Sequence, residues 1–123
     1  NTFVTAIKKR IENEKKYNIY CYLKKRKKEI ALTQNKNLSF LSNFKIPETK
    51  IATWNKNKKK DGWIYLCNYK NNISNIKMDI SLFYKFTKNK PEKFTWYSID
   101  QPENEFIPSF TKKIFKEIEK LYI

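Results

Sequence analysis

Residues 63–69 read Trp-Ile-Tyr-Leu-Cys-Asn-Tyr, residues 76–87 read Ile-Lys-Met-Asp-Ile-Ser-Leu-Phe-Tyr-Lys-Phe-Thr, and residues 94–99 read Phe-Thr-Trp-Tyr-Ser-Ile. The middle segment decides the fold. Ile76, Met78, Ile80, Leu82, Tyr84 and Phe86 point one way, while Lys77, Asp79, Ser81, Phe83, Lys85 and Thr87 point the other. That period of two is what a half-buried strand requires. The flanking segments, Trp63 to Lys70 and Phe94 to Ile99, read as strands of the same sheet.

Working back from this stretch, Asn18 to Lys24 is predicted as a strand, with Ile19, Cys21 and Leu23 on one face and Tyr20, Tyr22 and Lys24 on the other. Glu29 to Thr33 is its return strand. The Lys24-Lys25-Arg26-Lys27-Lys28 run between them repels itself and belongs at an exposed hairpin tip. Lys50 to Trp54 is a short strand, and Asn55 to Gly62 closes a second basic hairpin carrying Lys56, Lys58, Lys59 and Lys60. A third basic turn spans Lys88 to Lys93. Residues 37–46 fit a strand or a short helical turn equally well, and Pro47 ends whichever forms.

At the chain ends the apolar period lengthens. Val4, Ile7 and Ile11 predict a helix from Phe3 to about Lys16, capped by Thr2. Phe110, Ile114, Ile118 and Leu121 predict another, opened by Pro108 and Ser109 and running to about Tyr122. The expected architecture is therefore α+β. An antiparallel sheet of about five to six strands, a meander or partly closed barrel, carries an N-terminal and a C-terminal helix packed on it. Residues 1–123 form a single domain, long enough for a real core. Large rings, 16% of the sequence, can fill such a core efficiently.

The formal charge of +15 is the dominant compositional fact. It attracts polyanions and anionic surfaces without specifying a fold. Only Arg10 and Arg26 among the 27 basic residues are arginine, which argues for backbone attraction over base-specific readout. An AT-rich coding sequence also favours Lys, Asn, Ile, Tyr and Phe, so composition is an alternative source for part of the charge. Two cysteines, Cys21 and Cys67, make neither a disulfide framework nor a zinc site. No apolar run is long enough for a membrane span. The compartment is not fixed by the sequence: cytoplasmic, or secreted if the chain is processed before Asn1.

Several chemistries are excluded by residue type. The sequence has no histidine, which removes Ser-His-Asp and Cys-His nucleophiles and histidine metal sites. It has one glycine, so neither a phosphate-binding loop nor a dinucleotide fingerprint exists. Glu48-Thr49-Lys50 matches half of a metal-nuclease pattern but lacks the preceding aspartate. Asp79 is expected to face solvent beside Lys77. No cofactor or metal is expected.

What remains is aromatic residues interleaved with lysine. Tyr20, Tyr22 and Lys24 share one strand face; Trp63, Tyr65 and Tyr69 are expected to share another; Phe83 lies with Lys77 and Lys85. Rings flanked by lysines on a sheet are how single-stranded nucleic acid is stacked and held. The same rings serve equally well as core.

The expected function is a non-catalytic basic binding module for RNA or single-stranded DNA. Its candidate contacts are Tyr20, Tyr22, Lys24, Lys25, Arg26, Lys27, Lys28, Lys58, Lys59, Lys60, Trp63, Tyr65, Tyr69 and Lys85. The alternatives are a small secreted or host-directed effector that binds a protein through these rings, and a metal-free basic ribonuclease using Tyr20, Tyr22, Arg26 and Lys85.

Overall fold

A computed structural model describes residues 14–36, 38–52, 62–100 and 106–122. Half of these residues lie in seven strands. The strands are β1 (Glu14–Leu23), β2 (Glu29–Gln34), β3 (Lys45–Ile46), β4 (Glu48–Ile51), β5 (Ile64–Ile73), β6 (Ile76–Phe86) and β7 (Thr95–Ser98). One helix, α1 (Ser109–Glu119), follows them and tightens into a 3₁₀ turn over Lys120–Tyr122.

The sheet is mixed, which corrects the expected antiparallel meander. At its centre β1 runs parallel to β6 over its whole length, from Glu14↔Lys77 to Leu23↔Phe86. β5 adds antiparallel to the far side of β6. The other edge of β1 is divided. Tyr17 to Tyr20 pair with β4, whereas Leu23 pairs with Ile30 of β2. β2 then takes β7 along Glu29 to Leu32 and β3 at Thr33 and Gln34. Alternation along a strand specifies its faces but not its neighbour or direction, so the parallel pairing of distant segments left no local trace.

The two-helix arrangement is also overturned: α1 is the single helix among the described residues. Most of the expected Phe3–Lys16 helix lies outside the described residues, but its last three residues, Glu14–Lys16, belong to β1. Their charged side chains have no strand propensity of their own. Pairing with Lys77 to Asp79 holds them extended, a tertiary override of local preference.

The core forms where α1 meets one face of the sheet. Tyr17, Ile19, Cys21 and Leu23 of β1 lie beside Met78, Ile80 and Leu82 of β6, all buried, and Phe110, Ile114, Phe115 and Ile118 of α1 cover them. Each fully buried Leu or Ile contributes about 1.5–3 kcal/mol. The Thr111 hydroxyl donates to the Lys45 carbonyl at 2.8 Å and pins α1 to β3.

Residues 38–44 resolve as an irregular loop. Its organiser is Asn35, only 3% exposed, whose side-chain amide donates to the carbonyls of Phe40 (2.6 Å) and Leu41 (3.1 Å). Its side-chain oxygen accepts from the Leu38 amide at 3.0 Å. These bonds hold Leu41 and Asn43 at φ of 53° and 69°. For leucine that backbone is strained, and the strain persists only because Asn35 over-determines the loop.

Cys21 and Cys67 are free thiols. β6 runs between the strands that carry them, so they are not neighbours in the sheet. Among the described residues, no helix is long and apolar enough to cross a membrane.

Candidate nucleic-acid interface

The sheet face opposite α1 collects the rings. Tyr20 stacks on Phe83 with centroids 5.4 Å apart. Tyr65 meets the other side of Phe83 edge-on at 5.7 Å. Trp63 packs edge-on against both Tyr20 and Tyr22, at 5.0 and 4.9 Å, and Tyr22 meets Phe94 at 5.9 Å. The pairing registers explain this assembly. Tyr20 lies opposite Phe83 in the parallel ladder, and Phe83 lies opposite Tyr65 in the antiparallel one.

A bulge decides which β5 rings join. Between Tyr65 and Cys67 the register shifts, so Tyr65 pairs with Phe83 whereas Cys67 and Tyr69 pair with Leu82 and Ile80. One extra residue in the strand reverses the facing of everything beyond it. Tyr69 is therefore on the α1 side and packs against the core, with Lys113 Nζ 4.8 Å from its ring centroid. Its hydroxyl is buried without a hydrogen-bond partner, and burial pushes its pKa up. The expected face of Trp63, Tyr65 and Tyr69 is thus divided, with Tyr69 on the core side.

Burial grades the remaining rings. Tyr20 and Trp63 are each 8% exposed and form the base of the cluster. Tyr22, Phe83 and Phe94 are half-buried, and Tyr65 is 54% exposed. The Lys85 ammonium lies 4.8 Å from the Trp63 ring centroid and 5.5 Å from that of Tyr22, placing a cation over the half-open rings. The Tyr22 hydroxyl donates to Glu48 Oε2 at 2.8 Å. Burial, reinforced by that bond and the Glu48 charge, holds its pKa above the ordinary tyrosine value.

The cluster gives way to charge along the same face. Lys70 bridges Glu14 at 2.6 Å and Asp79 at 3.4 Å, crossing three strands. Asp79 also accepts from the Asn68 amide at 2.7 Å, so its partners are Lys70 and Asn68 rather than the expected Lys77. The hydrogen bond to Glu14 is the main reason the Lys70 pKa is raised.

The basic hairpin tip forms where expected, at the far end of β1. Lys25, Arg26 and Lys27 are exposed. Lys24 is paired with Glu29 at 3.4 Å and lies 4.8 Å from the Trp96 ring centroid, and Lys28 pairs with Asp100 at 3.7 Å. The third basic turn folds beside the first, so that Lys88 joins the tip. Lys58, Lys59 and Lys60 lie outside the described residues. Phe94 and Glu48 were not among the sequence-derived contacts. Neither shares a strand with the residues it meets, so no periodicity could have found them.

Among the described residues, no group of three or more Cys, Asp or Glu side chains is placed to hold a metal ion. No protein-family model and no curated protein matches this sequence. Solved structures do resemble it. The C-terminal domain of mouse MUTYH, solved in complex with human PCNA, superposes with a TM-score of 0.63 at 10% identity, covering 87% of this chain and 88% of that one. The E. coli ORF135 protein gives 0.57 at 9% identity, covering 89% and 93%, and C. elegans Ap4A hydrolase gives 0.58 at 7%, covering 89% and 98%. The chain thus shares its overall fold with these three structures. At these identities the similarity is one of fold alone.

Proposed function

We propose that this protein is a non-catalytic module that binds RNA or single-stranded DNA on the sheet face opposite α1. The observation that carries the reading is the graded cluster of Tyr20, Tyr22, Trp63, Tyr65 and Phe83 under the Lys85 ammonium. Among the described residues the buried core cluster lies on the other face, against α1, whereas Tyr65 stands half in water on this one. Bases stack on such rings for about 1–3 kcal/mol each, and lysines add a salt-sensitive attraction to phosphates. The scarcity of arginine fits backbone attraction with little sequence preference.

A protein partner is the second reading. It is favoured by the MUTYH domain having been solved in complex with PCNA, and by Ile64 and Tyr65 both standing more than half exposed on β5. Fluorescence anisotropy with labelled single-stranded RNA, single-stranded DNA and duplex, repeated across salt, separates the two. Nucleic-acid binding gives single-strand affinity that falls steeply with salt and weakens when Tyr22 or Tyr65 becomes alanine. Weak binding that ignores both substitutions rejects it in favour of the protein partner.

A further inference from the structure

Beyond the ring cluster, the ends of β1 and β6 border an open pocket of about 610 Å³, lined by residues 24–27 on one side and by Phe86, Thr87 and Lys88 on the other. Small-molecule sites commonly span ~300–1,000 Å³.

Its cationic wall is clamped at several points. The Lys24 amide donates to the Glu29 carbonyl at 3.2 Å, the Glu29 amide to Lys27 at 2.7 Å, and the Thr87 amide to Leu23 at 2.8 Å. The Tyr122 hydroxyl donates to the Lys24 carbonyl at 2.7 Å, fastening the tip to the end of the chain's last helical turn. Phe86 offers a flat apolar surface. Its ring is 39% exposed and is held edge-on by Tyr84 at 5.7 Å and Tyr122 at 6.0 Å.

The charges around that ring are unbalanced. Lys24 is committed to Glu29, but Lys25, Arg26, Lys27 and Lys88 make no ion pair among the described residues, and no carboxylate lines the pocket. Like charges held this close repel one another, and an anion between them relieves that repulsion. Arg26 adds a planar fork suited to phosphate oxygens. An exposed ring beside clustered cations, in a space of this size, is complementary to a base joined to a phosphate.

We infer that this pocket binds a nucleotide, with the phosphate on Arg26 and its lysine neighbours and the base on Phe86. The nucleotide is either free or the phosphorylated end of a strand. The inference is independent of strand binding on the ring face.

Amide chemical-shift titration of the whole chain tests it, with AMP, adenosine, inorganic phosphate, and short oligonucleotides carrying a 5′-phosphate or a 5′-hydroxyl. AMP is expected to shift residues 24–27 and 86–88 and to bind at least about tenfold more tightly than adenosine or phosphate alone. Arg26→Ala combined with Lys27→Ala, both exposed, weakens AMP binding by about tenfold or more. Phe86→Leu keeps the apolar packing, so it weakens AMP but not phosphate. Shifts from the phosphorylated oligonucleotide at the same amides assign the pocket to strand ends as well. Shifts from AMP alone assign it to free nucleotides. Phosphate binding as tight as AMP, or AMP shifts confined to the ring face, overturns the inference.

Discussion

Replacing Tyr65 and Trp63 separately by alanine distinguishes a binding surface from a satellite core. Trp63 is 8% exposed and touches Tyr20, Tyr22 and Lys85. Its removal empties a packed site and is expected to destabilise the protein by about 3–5 kcal/mol. Tyr65 is 54% exposed and, among the described residues, has one ring contact, with Phe83. About half of a ring's roughly 150–250 Å² is buried and lost on truncation, which at ~25 cal/mol/Å² gives at most about 2–3 kcal/mol. If a base stacks on Tyr65, removing the ring also weakens single-strand binding by ~1–3 kcal/mol, roughly 5–150-fold in Kd. Urea unfolding followed by tryptophan fluorescence measures the first quantity, and anisotropy with labelled oligouridine and oligothymidine the second. Tyr65→Ala should therefore lose less stability than Trp63→Ala, stay folded and bind poorly. A Tyr65→Ala protein whose Kd stays within about twofold of the parent refutes the stacking argument and leaves the exposed ring to a protein partner.

Other outcomes follow from the packing. Asn35→Ala removes the side-chain hydrogen bonds to Leu38, Phe40 and Leu41 and is expected to cost about 2–4 kcal/mol in urea unfolding, with proteolysis starting in that loop. Tyr122 is pushed up to about 12 by burial and the nearby Glu29 charge, and Tyr17, Tyr22 and Tyr69 are also raised, burial being the leading cause for each. A folded-state pKa above the unfolded one gives stability that is complete below the unfolded value near pH 10 and is lost as pH rises through the folded one. Melting temperature should accordingly fall above pH 10, with these tyrosines ionising in the ultraviolet spectrum only as the protein unfolds. Cys21 is fully buried and its pKa is raised by burial and by the Cys67 thiol. A thiol reagent should therefore leave Cys21 unmodified until denaturant is added, and the oxidised protein should show no Cys21–Cys67 disulfide.

Much of the element plan could be read from the residues. The Ile76–Phe86 alternation, the hairpin across the 24–28 tip and the C-terminal helix all follow from local pattern, because side-chain period and charge repulsion act over a few residues. The site was only partly legible. Tyr20, Tyr22, Phe83 and Lys85 take the faces their alternation predicts, but Tyr69 was misplaced. The bulge after Tyr65 is a property of the β5–β6 pairing, and no residue near it signals a shift. The Asn35 loop was ambiguous for a related reason, since its conformation is set by one side chain bonded across several backbone groups.

By itself the sequence determined most of the strands, the two faces along residues 18–24 and 76–86, the basic tip and the absence of histidine chemistry. These depend on residue identity and short-range spacing. Only the tertiary structure decided that β1 and β6 lie parallel, and that parallel register puts Tyr20 against Phe83. It also decided that the bulge sends Tyr65 to the ring face and Tyr69 to the core. Strand partners are selected by burial summed over the whole sheet, and that sum is not written in any one segment.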